Sequence, residues 1–348
     1  MKQHRGLTRR VLAALLTMSA IIAVSACSLR SQDSAIPSTT STTLSGPIPV
    51  VATIRPWGSL AQELGGDQVQ VSTIISDPNL AIQEYEPKTT DVTTIGKSRI
   101  EIVNGAGYDD WATKSAPKDA TLVSAADAVG ASEGDNPYLW FSKDVRNSVA
   151  TEVTEAYIKA LPAKKSYFNA RLKAWKHSET TLETLMQTIA SQSKKKLTYA
   201  QERPIAYYLM ADLGFSDKTP EGFAQALSGS EQPTTTEVET FVDLLGTSQH
   251  PSIFLEDSTQ QSAETQKKLA TAAKDNNVPT ADVTEVMPAQ DTTLNAWISA
   301  ITTNIAKALE LRTTMQSENP QADSSQGTTS DSVSPSSSES DATPSSSQ

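Results

Sequence analysis

The feature that most constrains the fold is an alternation of short apolar strands with amphipathic helices between residues 47 and 312. Ile48–Ile54 and Val69–Ile75 are β-branched runs typical of strands, and the residues between them repeat apolar side chains at helical spacing. The alternation resumes near Leu197 and includes a strand near Ala281–Val286 and a final helix over Leu294–Leu311. Because alternating strands and helices favour parallel sheets with helices outside, the sequence predicts an α/β fold.

A long helical region separates the two alternating segments. Ser142–Ala160 and Ala163–Ser191 are both helical in pattern, with Pro162 between them. The second carries an apolar stripe that includes Phe168, Trp175 and Leu182. The second helix of about 29 residues would be roughly 43 Å long at 1.5 Å per residue. We therefore predict two lobes, each with a mostly parallel sheet, joined by one long rigid helix. Open parallel sheets bind ligands at the carboxyl ends of their strands, so a ligand cleft is expected between the lobes.

The N-terminus has the features of an exported chain. The first ten residues carry four basic and no acidic side chains, and the apolar run Val11–Val24 is shorter than the about 20 residues needed to span a bilayer. The residues that end this run, VSAC, resemble the lipobox of bacterial lipoproteins, which implies lipidation of Cys27. Cys27 is the only cysteine, so the chain forms no internal disulfide. A lipid anchor on a membrane surface is expected.

Composition predicts the remaining boundaries. The predicted division is a lipoprotein signal peptide over 1–26, a lipidated Ser/Thr-rich tether over 27–46, an N-terminal α/β lobe over 47–141, a helical region with the connecting helix over 142–192, a C-terminal α/β lobe over 193–312, and a disordered Ser-rich acidic tail over 313–348. The formal net charge of −11 argues against a nucleic-acid partner.

Four local patterns carry a family resemblance that covers nearly all of residues 48–311. They are VVATIRPWGSLAQELGGDQVQVSTII, SDPNLAIQEYEPKTTD, IEIVNGAGYDDW and NPYLWF. Together with lipoprotein export, paired lobes and a long connecting helix, they resemble the solute-binding proteins of zinc and manganese ABC transporters. The resemblance implies an exported lipoprotein at the outer face of the cytoplasmic membrane. It also implies a monomer that works with an ABC permease and its ATPase, and Zn²⁺ or Mn²⁺ as the solute.

The positions that match the metal ligands of this family hold unusual residues. By the resemblance, the two histidine positions fall on Gln83 and Tyr138, the third on Arg203 and the fourth on Glu285. A one-residue shift would put Glu202 at the third position. Arginine keeps its proton and repels a cation, while zinc prefers imidazole, thiolate or carboxylate. Of the four residues, at most Glu285 is of a type that binds metal, so we expect metal binding in the cleft to be weakened or lost.

Alternatives remain for these residues. Tyr138 starts the aromatic run that ends at Phe141, which is typical of a buried strand or a pocket wall. Glu202, Glu256 and Asp257 follow or end strands, and they would be solvated acids or a shifted oxygen site suited to Mn²⁺ or Ca²⁺.

The three histidines give no replacement site. His4 leaves with the signal peptide, His177 is expected to be solvated on the long helix, and His250 precedes a strand at the end away from the cleft. An enzyme is not expected, because no histidine is placed to act as a base and no spacing selects a carboxylate pair. A metal-free family member acting as an envelope adhesion or scaffold protein is the alternative function.

Overall fold

The computed structural model describes residues 46–77, 85–192, 196–228, 231–258 and 264–314. The predicted signal peptide, Cys27 and Gln83 lie outside the described residues, as does almost all of the predicted tether and tail. Among the described residues, no helix is both long enough and sufficiently apolar to cross a bilayer.

The first sheet is built from the amino-terminal strand–helix alternation. Its elements are β1 (Ile48–Ile54), α1 (Arg55–Gly65), β2 (Val69–Ile75), α2 (Thr89–Ile95), β3 (Ile100–Val103), α3 (Asp110–Thr113) and β4 (Thr121–Ser124). The strands pair in parallel in the order β2-β1-β3-β4. β1 is central and its residues are almost all buried, which explains its continuous run of apolar and β-branched side chains.

The second sheet repeats this arrangement near the carboxyl end. Its elements are β5 (Thr198–Gln201), α6 (Tyr207–Asp212), β6 (Ser216–Asp217), α7 (Glu221–Ser228), α8 (Thr235–Gly246), β7 (Ile253–Glu256), α9 (Glu264–Asp275), β8 (Thr280–Asp282) and α10 (Leu294–Ala308). The strands pair in parallel in the order β6-β5-β7-β8. The described chain therefore has the two-lobed α/β fold that its sequence predicts.

Two helices connect the sheets. Between α4 (Lys143–Ala160) and α5 (Lys165–Ser191), a single 3₁₀ turn starts at Pro162. α5 contacts α1 and α4 on the side of the first lobe and α10 on the side of the second. Its predicted apolar stripe is confirmed, since the stripe residues Phe168, Trp175 and Leu182 are all buried. The helix is thus packed along both lobes instead of standing in solvent.

A buried ion pair fixes α4 against α5. Arg146 is completely buried and Glu179 is 1% exposed. Two Arg146 nitrogens reach the Glu179 carboxylate, the closest contact being 2.6 Å from Nη2 to Oε1. The third nitrogen, Nη1, donates to the Trp140 carbonyl at 3.1 Å. The pair therefore also holds the turn that precedes α4.

Several element predictions are corrected by the structure. The aromatic run that starts at Tyr138 forms a 3₁₀ turn over Leu139–Phe141 and not a strand. The strand predicted near 281–286 is shorter and ends at Asp282, and the final helix ends at Ala308 instead of 311. β4, β6, α7 and α8 were not predicted. Strands of two to four residues give too short an alternation to recognise, and α7 and α8 lie in a segment rich in Ser, Thr and Gly.

We predict that Glu179→Gln will destabilise the protein by about 3–5 kcal/mol, because it leaves the fully buried Arg146 guanidinium without a counter-charge. The free energy of unfolding from urea denaturation measures the effect. The matched control is Glu264→Gln in the exposed pair with Lys268, where the side chains are 86% and 55% exposed; its effect should be far smaller, because exposed ion pairs are weak. Equal losses in the two variants would contradict the prediction.

Candidate functional site

Five side chains from the two lobes meet where the carboxyl ends of the sheets face each other. The first lobe provides two tyrosines and the second lobe provides an arginine and two carboxylates. We call this group the Arg203 cluster: Tyr108, Tyr138, Arg203, Asp257 and Glu285.

Arg203 is the centre of the cluster. Its Nη1 donates to Asp257 Oδ2 at 2.8 Å. Its Nη2 donates to Glu285 Oε2 at 2.6 Å and to the Tyr138 hydroxyl at 2.8 Å. The guanidinium also lies 5.9 Å from the centre of the Tyr138 ring, within the range of a cation–π interaction. One positive charge is therefore shared by two buried carboxylates and a phenol.

The cluster joins the lobes in both directions. Arg203 of the second lobe reaches Tyr138 of the first, and the Tyr108 hydroxyl of the first lobe donates to Glu285 Oε1 at 2.9 Å. Both oxygens of Glu285 thus have donors. The aromatic rings pack edge to face, with the Tyr138 and Trp140 ring centres 5.7 Å apart. Asp257 and Glu285 are 1% and 4% exposed, so these bonds are well shielded from water.

Strand ends position the residues of the second lobe. Arg203 follows β5 by two residues, Asp257 follows β7 directly, and Glu285 follows β8 by three. β7 lies between β5 and β8 in a parallel sheet, so the three side chains come from adjacent loops at one edge. This is the edge at which open α/β sheets bind ligands.

A tight loop after β3 positions Tyr108. Asp109 accepts backbone N–H groups from Asn104 at 2.7 Å and from Gly105 at 2.8 Å, which closes the loop. Gly105 has φ of +74°, and a Cβ there would lie 2.7 Å from the Cβ of Ala126. A glycine is required at this position on both counts. The loop therefore presents Tyr108 at the carboxyl edge of the first sheet.

Two asparagines position Tyr138. Asn104 accepts from the Trp57 indole at 3.1 Å and donates to the Pro137 carbonyl at 2.8 Å, so it links α1 to the turn. Asn136 accepts the backbone N–H of Tyr138 at 2.9 Å and donates to the Pro204 carbonyl across the lobes at 2.7 Å. The NP pair of the sequence is thus an anchored turn, and Tyr138 forms a wall of the cleft.

Burial keeps the tyrosines neutral, and neighbouring groups keep the arginine charged. Burial, together with the Glu285 charge, raises the pKa of Tyr108 well above its ordinary value. The same two causes raise the pKa of Tyr138. Burial opposes the charge on Arg203, but Tyr138, Glu285 and Asp257 outweigh it and raise its pKa. The cluster therefore contains a permanent cation and two neutral phenols at any physiological pH.

Glu202 lies behind the cluster. It is 3% exposed, and its Oε1 accepts the backbone N–H of Asp257. Burial raises the pKa of Glu202 to about 7, an effect that the neighbouring Asp257 and Glu256 charges increase. Burial followed by the Asp282 charge also raises the pKa of Glu256. No hydrogen bond or salt bridge connects Glu256 to Arg203 among the described residues.

The described residues of the cluster present a positive charge and protonated phenols beside the two carboxylates. A permanent positive charge lies between the two carboxylates, and the two tyrosines keep their protons. Among the described residues, no group of three or more His, Cys, Asp or Glu side chains is arranged to hold a metal ion. The predicted shifted oxygen site at Glu202, Glu256 and Asp257 also lacks such an arrangement, since Asp257 binds Arg203.

The structure brings together three of the four residues selected from the sequence. Tyr138, Arg203 and Glu285 are in direct contact, whereas Gln83 lies outside the described residues. Asp257, a secondary candidate, is a direct partner of Arg203. Tyr108 was missed, because only the left-handed turn at residues 105–107 shows where the ring points.

The histidines lie where the sequence places them. His177 is exposed on α5, and His250 precedes β7 at the end opposite to Asp257. The described histidines therefore take no part in the Arg203 cluster.

Comparison with known proteins identifies the family. The profile of the ZnuA family, described as zinc-uptake complex component A, periplasmic, matches residues 50–308. The chain belongs to this family. FimA of Streptococcus parasanguinis, a metal ABC transporter substrate-binding lipoprotein, is 23% identical over 258 residues, which cover 68% of this chain and 79% of FimA.

One further relative and one solved structure are similar to this chain. The manganese ABC transporter substrate-binding lipoprotein ScaA of Streptococcus gordonii is 24% identical over 287 residues, covering 76% of this chain and 86% of ScaA. A mutant structure of the laminin-binding adhesin Lmb from Streptococcus agalactiae superposes with a TM-score of 0.64 at 16% identity, over 75% of this chain and 99% of that one. The likeness to Lmb shows the fold alone. The predicted membership in the family of metal-transporter solute-binding proteins is confirmed.

We predict that Glu202→Gln will stabilise this family member at pH 8 by roughly 1–3 kcal/mol and leave its stability at pH 4 nearly unchanged. The pKa of Glu202 is raised from 4.5 to about 7 in the folded state. The proton that Glu202 binds in the folded state therefore contributes its full stabilisation below pH 4.5. This stabilisation is lost as the pH rises through 7. Glutamine keeps the oxygen that accepts from Asp257.

Urea denaturation at pH 4, 6 and 8 measures the difference. Glu239→Gln on α8 is the control, because Glu239 is exposed. If the free energy of unfolding of Glu202→Gln depends on pH in the same way as that of wild type, Glu202 is not protonated near neutral pH.

Proposed function

We propose that this chain is the solute-binding lipoprotein of a zinc/manganese-type ABC transporter in which the Arg203 guanidinium occupies the cation position. The observation that carries the proposal is the set of three hydrogen bonds from Arg203 to Tyr138, Asp257 and Glu285, at 2.8, 2.8 and 2.6 Å. Family membership supplies the transporter context. In this proposal, the site that would take Zn²⁺ or Mn²⁺ as solute has weakened or lost its metal binding.

The proposal assigns a place in the envelope. The chain is exported, lipidated at Cys27 and held at the outer face of the cytoplasmic membrane, where it works as a monomer with an ABC permease and its ATPase. The lipoprotein relatives and the short apolar run before Cys27 support this location. No enzymatic step is assigned, because the family is one of transporter substrate-binding proteins.

The four residues matched to the family's ligand positions have separate roles in the proposal. Glu285 keeps the carboxylate of a metal ligand, but its two oxygens accept hydrogen bonds from Tyr108 and Arg203. Tyr138 replaces an imidazole with a neutral phenol that accepts from Arg203. Gln83 replaces another imidazole with an amide. Arg203 then supplies in a fixed form the positive charge that a cation would bring.

In this proposal the two lobes are joined without a bound solute. A bound cation would join ligands from the two lobes, but here Arg203–Tyr138 and Tyr108–Glu285 join them directly. One partner in each bond is buried and the other is half-buried, so neither bond depends strongly on salt. In this proposal the protein presents its lobes to the permease in one arrangement, whatever the metal concentration.

Metal titration of the mature protein tests the proposal. Isothermal calorimetry with Zn²⁺ and Mn²⁺, together with metal analysis of the purified protein, should show no dissociation constant in the nanomolar range. The reason is that a cation would have to displace a buried, hydrogen-bonded arginine. Nanomolar binding of either ion by the wild-type chain would refute the proposal.

A gain of binding provides the complementary test. The double variant Tyr138→His, Arg203→His removes the guanidinium and adds two imidazoles beside Asp257 and Glu285, a ligand set that suits zinc. We predict that its Zn²⁺ affinity exceeds that of wild type by at least about tenfold, or about 1.4 kcal/mol. Arg99→His at an exposed surface site is the control for adventitious binding by a new histidine. Equal affinities in the double variant and the control would contradict the prediction.

A second candidate function is an envelope adhesion or scaffold protein. The same direct bonds between the lobes favour it, because a scaffold requires a stable surface and no solute exchange. Two observations distinguish the candidates. A permease and an ATPase encoded beside this chain, with loss of solute uptake when the gene for this chain is deleted, support transport. Their absence supports the scaffold.

A further inference from the structure

A second cavity lies in the carboxyl-terminal lobe, outside the Arg203 cluster. It has a volume of about 250 Å³ and is lined by residues from the ends of β5 and β6, from α6 and α7 and from the turn before Tyr138. We call it the side pocket: Asn136, Gln201, Pro204, Tyr207, Asp217, Thr219, Ala224, Leu227 and Ser228.

Among the residues that line the side pocket, only Asp217 is charged. Asp217 contributes a carboxylate, whose Oδ1 accepts from the Thr219 backbone at 2.7 Å and whose Oδ2 is 3.4 Å from Gln201 Nε2. Asp217 forms no salt bridge in the part of the chain that the structure describes. Gln201 is 4% exposed, and its Oε1 has no hydrogen-bond partner there. This oxygen has almost no accessible surface, so the acceptor that the pocket presents is the Asp217 carboxylate, which lies at an exposed position.

The remaining walls are apolar. Pro204, Ala224 and Leu227 contribute aliphatic surface, and Tyr207 contributes an aromatic ring. Tyr207 is 47% exposed, an unusual fraction for a large apolar side chain. An aromatic face near a carboxylate is the arrangement that proteins use to bind organic cations. The aliphatic wall suits the alkyl chain that carries such a charge.

We infer that the side pocket binds an organic cation, namely an ammonium or guanidinium group on a short alkyl chain. The Asp217 carboxylate would pair with the charge and the Tyr207 ring would cover the alkyl chain. An anion would be repelled by Asp217. The volume is below the roughly 300–1,000 Å³ of drug-sized sites, so the pocket admits one small group.

The side pocket is separate from the proposed cation position. Asn136 and Pro204 form the wall between them and are held together by the 2.7 Å bond from Asn136 Nδ2 to the Pro204 carbonyl. No member of the Arg203 cluster lines the pocket. The inference therefore does not depend on the proposed function, and either can fail alone.

Two probes distinguish the source of the charged group. Agmatine represents a free small amine, and an end-blocked Gly-Arg-Gly peptide represents a basic side chain of a protein partner. Both are titrated into the mature protein while Tyr207 side-chain NMR signals and calorimetric heats are recorded. We expect saturable binding that shifts the Tyr207 signals. Binding of agmatine points to a free amine, and binding of the peptide alone points to a protein partner.

Matched variants test the site. Asp217→Asn should weaken binding about tenfold or more, because it removes a charged hydrogen-bond acceptor. Asp243→Asn, the same change at an exposed position on α8, should leave binding unchanged. Tyr207→Ala, at an exposed position where folding is not at risk, should also weaken binding. Absence of saturable binding by both probes, or equal affinity in wild type and Asp217→Asn, would overturn the inference. Equal binding of 1-pentanol, a neutral chain of similar length, would overturn it as well.

Discussion

The contact between Arg203 and its three acceptors is the interaction on which the interior of the cleft depends. Asp257 and Glu285 are both nearly inaccessible to water and come from adjacent strand ends. Two carboxylates buried side by side repel each other and each loses its hydration. The guanidinium offsets the repulsion and replaces the lost hydration, because its planar set of N–H groups donates to two acids at once. Removal of this one side chain would leave the most acidic part of the interior without a counter-charge.

A second buried ion pair connects this site to the helical frame. Arg146 and Glu179 fix α4 to α5, and Arg146 also holds the Trp140 carbonyl two residues after Tyr138. α5 in turn contacts helices of both lobes. The position of the Tyr138 hydroxyl therefore depends on a chain of contacts that begins at the longest helix of the described residues. Neither member of the pair carried a signal in the sequence, because burial of a charged side chain depends on which helices pack together.

Much of the fold could be predicted from the chain alone. Apolar runs such as Ile48–Ile54 and the stripe through Phe168 and Trp175 have a periodicity set by local geometry. The candidate site could be predicted less completely from the sequence. Tyr138, Arg203 and Glu285 were selected by resemblance at separate points of the chain. The contact of Arg203 with Glu285 depends on the pairing order of the strands, and its contact with Tyr138 depends on the turn that Asn136 anchors across the lobes. Tyr108 was missed because a single tyrosine in a loop has no periodicity; its place is set by the left-handed turn and by the buried Asp109.

The two acids around one arginine also restrict how this cleft can change during evolution. Loss of Arg203 by itself creates a buried excess of negative charge, while loss of Asp257 or Glu285 by itself leaves a donor without its acceptor. Each single replacement is therefore less favourable than the starting arrangement, although a paired replacement need not be. The three positions should consequently vary together among descendants of this chain, and mutational paths that separate them should be rare.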